Sequence, residues 1–165
     1  MTDQHKDQQR DMASPPVSLV IPCRPEYVGL CRLVAGALGL RDSLPEEAVA
    51  DIKVIVTEAC NCFLAAAGVG GSCGHAGGAP ATGEELGGEG LASSIRMDFL
   101  SRSDAFVITV LYPVGRKLLA WLERCDPMSE AGLGLTILKA LADEMVEVDA
   151  GVDGTALRLT KWLSA

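Results

Sequence analysis

Three polar or nucleophilic side chains stand together in the stretch Asp51-Ile-Lys-Val-Ile-Val-Thr-Glu-Ala-Cys-Asn-Cys62. Glu58 and Asn61 are three residues apart, and Glu58 and Cys62 are four apart, so either pair shares one face of a helix. A carboxylate placed this way can take a proton as a general base. A second stretch, Ser129-Glu-Ala-Gly-Leu-Gly-Leu-Thr-Ile-Leu138, opens with Gly132-x-Gly134 and runs into apolar residues at helical spacing. A glycine-rich helix start exposes backbone N–H groups at the positive end of the helix dipole, which suits phosphate. Each signal has a plainer reading. Glu58 can be solvated with Asn61 bonded locally, and a G-x-G can simply relieve crowding against a neighbouring strand.

The elements that must position these residues are readable from periodicity. Val17 to Pro22 is a short apolar strand. Pro25 to Leu40 carries helical spacing. Ser43-Leu-Pro-Glu-Glu47 signals a helix start, with Ser43 as cap and Pro45 in the first turn. The following helix reaches about Ala67, with Ala48, Val49, Ile52, Ile55, Val56, Ala59 and Phe63 on its apolar face and Glu58, Asn61 and Cys62 off it. Residues 91–102 and 105–113 are strands joined at Ser103-Asp104. Gly115 to Asp126 suggests a short amphipathic helix. Ser129 caps a helix that runs to Glu144 with Leu135, Leu138, Ala142 and Met145 on its face, and a strand follows near Val146–Val148. A turn at Gly151–Gly154 leads into a final alternating strand from Thr155 to Leu163. This order implies an α+β two-layer sandwich.

Composition narrows the function. The chain has 165 residues, enough for one domain with a substantial core. Apolar residues make up 48% and mean hydropathy is +0.25, so the chain is globular. Its net charge of −8 disfavours direct binding to nucleic acid or to an anionic membrane, and is compatible with a basic protein partner. No secretory leader and no membrane-crossing run is visible, which points to a cytoplasmic protein. The six cysteines form no C-x-x-C and read as free, mostly buried thiols; with two histidines in the chain, a zinc site is not expected. Residues 1–16 read as a disordered tail and 17–165 as the domain. The ten glycines between Gly68 and Gly90 mark a flexible loop without the lysine of a P-loop.

From Val17 to the end the chain resembles the anti-sigma regulatory factors, serine/threonine protein kinases of the RsbW and SpoIIAB type in the histidine-kinase-like ATPase superfamily. Three matches carry the resemblance. The stretch around Glu58-Ala-Cys-Asn61 resembles the family's E-A-x-x-N box, Glu130 to Leu138 resembles its second glycine box, and Gly154-Thr155 resembles the start of its last strand. The resemblance implies a two-layer α/β sandwich with a mixed, mostly antiparallel sheet covered on one face by helices. It implies Glu58 as general base toward a serine hydroxyl, and Asn61 as the residue standing in for the Mg²⁺ ligand. It also implies ATP contacts from Asn61, Gly115, Gly132, Leu133, Gly134 and Thr155. The implied partners are a sigma factor, an anti-anti-sigma protein and a second copy of the chain in a homodimer. The chain departs from the family pattern at two places. Cys62 occupies the position of the box asparagine, and Tyr112-Pro-Val-Gly-Arg116 falls where the first glycine box has D-x-G-x-G. Two functions are therefore expected: an ATP-dependent kinase that binds a sigma factor and phosphorylates an anti-anti-sigma protein, the antagonist, or a catalytically impaired, nucleotide-independent binding module in the same partner-switching circuit.

Overall fold

The protein is described by a computed structural model covering residues 15–69, 94–112, 118–151 and 154–163. The tail at 1–14, most of the glycine-rich stretch (70–90) and Gly115 lie outside the described residues. The chain runs as β1 (Val17–Pro22), a 3-10 turn (Pro25–Tyr27), α1 (Val28–Arg41), α2 (Glu46–Ala66), β2 (Ser94–Ser101), β3 (Ala105–Tyr112), α3 (Leu118–Leu122), α4 (Glu130–Leu141), β4 (Glu144–Asp149) and β5 (Thr155–Trp162).

The described strands form one sheet in the order β1-β2-β3-β5-β4. Every pairing is antiparallel, so the sheet is not mixed as the resemblance had implied. Alternation explains which side is covered. Ile95, Met97 and Phe99 of β2, Phe106, Ile108 and Val110 of β3, and Leu157 and Leu159 of β5 enter the core shared with the helices. Arg96, Asp98 and Arg158, at the alternate positions, are exposed or half-buried on the other side. The β2–β3 hairpin closes through two residues, with Arg102 N–H donating to the Ala105 carbonyl at 2.8 Å.

Helix α2 is the centre of the helical layer and packs against both α1 and α4. This explains why its buried surface is wider than a single stripe. The expected apolar face is buried throughout, and Cys60, Cys62 and Leu64 are buried too. Cys62 is therefore a core residue, correcting its placement off the apolar face: a helix flanked on two sides hides more than one stripe. Cys23, Cys31 and Cys60 are free and buried, as expected of small apolar side chains. Cys60 lies 3.7 Å from the Met97 sulfur.

Three boundaries differ from expectation. Ser43 does not cap α2. It adopts φ 54°, and Pro45 takes the cap position with no side-chain bond. Helix α4 stops at Leu141, not Glu144, because Ala142 turns extended (φ −82°, ψ 130°) and Asp143 N–H donates to Thr160 of β5. Met145 therefore belongs to strand β4, where it faces Leu159. The turn before β5 needs glycine, since Gly151 and Gly154 adopt φ 64° and 106°.

Candidate functional site

The site is built where α2 meets the start of α4. Ser129 caps α4 in extended conformation, and its hydroxyl oxygen accepts from Gly132 N–H at 3.1 Å. The same hydroxyl donates to the Asp126 carbonyl at 2.6 Å, and Ser129 N–H donates to that carbonyl at 2.9 Å. The turn is thus wound onto itself. Gly132 has no alternative in it. A methyl group there would press into the Asp126 carbonyl and lie 2.8 Å from Pro127 Cα.

Gly134 serves a different purpose. A methyl group there would stand 3.0 Å from the Cys62 sulfur and 3.2 Å from Glu58 Oε2. The absence of a side chain at 134 lets the Glu58 carboxylate and the Cys62 thiol come up against the first turn of α4. Cys62 Sγ also lies 3.9 Å from the Ala131 carbonyl, as a weak donor. The glutamate box and the second glycine box, more than 70 residues apart in sequence, are therefore in contact.

The other sequence-selected residues distribute unevenly. Asn61 is half-buried on α2, but none of its atoms lies within 4 Å of that position on Gly134. Leu133 is 46% exposed beside the glycines. Thr155 opens β5 and is the cross-strand partner of Tyr112. Gly115 lies outside the described residues.

The electrostatics separate the two side chains on Gly134. Burial first, then the negative charges of Glu58 and Cys125, push the Cys62 thiol up to about 12. At neutral pH it is a neutral thiol, unsuited to a hard cation that takes oxygen ligands. Among the described residues, no cluster of three or more His, Cys, Asp or Glu side chains could hold a metal ion. At Gly132 the Asp126–Pro127 backbone leaves no room for a side chain, and at Gly134 a methyl group would crowd Cys62 and Glu58.

A second polar cluster borders the site and was not foreseen. Tyr112, at the end of β3 and only 5% exposed, sets its ring edge-on to Phe63 of α2, with centroids 6.5 Å apart. Its hydroxyl donates to Glu147 Oε1 of β4 at 2.5 Å and accepts from Leu118 N–H at 3.2 Å. Glu147 Oε1 also accepts from Leu119 N–H at 2.9 Å. Burial, then the bond to Glu147, raise the tyrosine's pKa well above its usual value. The available signal was a glutamate two residues from Met145, and so on the same face of the edge strand.

No protein-family model matches the chain. It is 28% identical over 158 residues to the serine-protein kinase RsbW of Bacillus pumilus (strain SAFR-032), spanning 90% of this chain and 86% of that relative. It is 28% identical over 155 residues to the serine-protein kinase RsbW of Bacillus licheniformis, with the same coverage. A further Bacillus licheniformis RsbW, from strain ATCC 14580, is 26% identical over 155 residues. The chain is thus similar to these serine-protein kinases over nine-tenths of its length, and its α+β fold is consistent with the histidine-kinase-like ATPase superfamily.

Proposed function

We propose that the protein is an anti-sigma-factor-type regulator and ATP-dependent serine/threonine kinase, one that binds a sigma factor and phosphorylates an anti-anti-sigma protein. The observation that carries this reading is the apposition of Glu58 Oε2 and Gly134, which puts a candidate base against a candidate phosphate turn. Full-length likeness to the RsbW serine-protein kinases supports it.

In this reading phosphate oxygens lie against the backbone of Gly132, Leu133 and Gly134 at the start of α4, where the N–H groups of Gly132 and Leu133, now donated to Ser129, would be given up to the ligand. Glu58 accepts the proton of the attacking serine hydroxyl as the phosphoryl group leaves ATP. Thr155, beside Tyr112 on the sheet, borders the nucleotide. Asn61 is the residue assigned to Mg²⁺, which when bound neutralises phosphate charge. The acidic chain suits a basic surface on the sigma factor. A cytoplasmic site of action is part of the proposal; no helix among the described residues is long and apolar enough to cross a membrane. A homodimer is part of the proposal.

Calorimetric titration with Mg-ATP and Mg-ADP tests the reading. Saturable binding in the micromolar range is expected. Absence of both heat and thermal stabilisation at millimolar nucleotide would overturn it and leave a nucleotide-independent binding module.

A further inference from the structure

The Tyr112–Glu147 cluster has no role in the chemistry described so far, yet it controls the element that touches both helices of the site. Helix α3 packs against α2, α4 and β4. Its described span has five residues, too few to be stable by themselves. Two groups of bonds hold it. Leu118 and Leu122 are buried in the core. The N–H groups of Leu118 and Leu119 are taken by Tyr112 Oη and Glu147 Oε1. Since Tyr112 Oη also donates to the same Glu147 oxygen, the three bonds form one closed network between β3, β4 and α3.

The seat of α3 bears directly on the glycine turn. Seven residues separate Leu122 from Glu130, and they include Asp126. The Asp126 carbonyl accepts both bonds from Ser129 and packs against Gly132. A displacement of α3 pulls on that carbonyl and so on the turn assigned to phosphate.

We propose that Tyr112 and Glu147 are positioning residues that latch α3 beside the nucleotide site and thereby set how fast nucleotide enters and leaves it. This rests on the proposed reading of the glycine turn as a phosphate site. The bonds are to a carboxylate, so their loss is large enough to be read. One hydrogen bond to a charged acceptor corresponds to a change of about tenfold in an equilibrium between seated and released α3.

The test compares the full chain with Y112F, E147A and E147Q. Y112F keeps the ring against Phe63 and removes only the hydroxyl, so the fold is retained. E147Q keeps the Oε1 acceptor. Two readouts are taken: hydrogen exchange at the Leu118 and Leu119 amides without nucleotide, and stopped-flow association and dissociation of fluorescently labelled ADP. Y112F and E147A are expected to lose amide protection and to speed both nucleotide rates by about tenfold, while E147Q stays close to the unsubstituted protein. Retained protection in Y112F and E147A would overturn the latch. Lost protection with unchanged nucleotide rates would reduce the cluster to a structural contact and overturn its control of the site. Absence of ADP binding in all four proteins would overturn the nucleotide reading itself, with the exchange data showing separately whether α3 is held.

Discussion

At the residue scale the site depends on two glycines with different duties. Gly132 is demanded by the backbone of its own turn, while Gly134 is demanded by side chains of another helix. Replacing Gly132 by alanine forces the Asp126–Pro127 backbone to move and is expected to cost about 3 kcal/mol, read as a lower denaturant midpoint. Replacing Gly134 by alanine asks only for a shift of a few tenths of an ångström from Cys62 and Glu58. It is expected to cost about 1 kcal/mol in stability while disturbing the carboxylate, so activity should fall further than the midpoint does. A loss of stability at 134 as large as at 132, with activity in proportion, would contradict this division. Glu58, Gly132 and Gly134 stand out in the sequence by short-range spacing, and the structure brings Glu58 and Gly134 together. The burial of Cys62 was not legible there, because it arises from α4 packing on a second side of α2, which no local periodicity records. The pairing of Tyr112 with Glu147 joins residues 35 apart across the order of three strands, and only the sheet register brings it out.

At the element scale, the helices and strands followed from periodicity, and the ends did not. The Ser129 cap was readable and is present. The Ser43 cap was equally plausible by residue type, but a left-handed backbone at Ser43 puts its hydroxyl out of the cap role. The end of α4 was overrun because Ala142 and Met145 continue the helical spacing, while the competing bond from Asp143 to Thr160 is tertiary. Substituting Ser129 by alanine is expected to cost about 1 kcal/mol and to weaken nucleotide binding, since the cap organises the turn. Thermal unfolding and Mg-ATP titration on the same variant check both parts. Unchanged affinity in a destabilised protein would separate the cap from the site.

At the scale of the whole molecule, the two layers are tied by a cation as well as by the core. Lys161 of β5 reaches Asp51 of α2 at 3.0 Å, Asp143 at 3.8 Å and the Leu141 carbonyl at the end of α4 at 3.0 Å. Its bond to Asp51 raises its pKa above the usual 10.5. Burial likewise raises the Cys62 thiol above its usual 9.0, and Tyr112 is raised above its usual 10.0. A group whose pKa is raised on folding contributes stability that is complete below its unfolded value and is lost as pH climbs toward the folded one. All three therefore act in the same direction. The unfolding midpoint is expected to stay level from neutral pH to about 9 and to fall beyond it, with Lys161→Met removing part of the fall above about 10.5. An alkaline limb unchanged in that variant would remove Lys161 from the account. The two-layer architecture was visible in the order of elements, whereas the fully antiparallel sheet and the place of β5 between β3 and β4 required the fold itself.

In the proposed function Glu58, set against Gly134, is the reacting end of a protein kinase. The most direct measurement is transfer of labelled γ-phosphate from Mg-ATP to a purified anti-anti-sigma protein by the unsubstituted chain and by Glu58→Gln, with ADP affinity measured on both. Transfer to serine by the former is expected, with a loss of at least about a hundredfold in the latter and ADP affinity unchanged within a few fold. Transfer at equal rates by both proteins would contradict this reading.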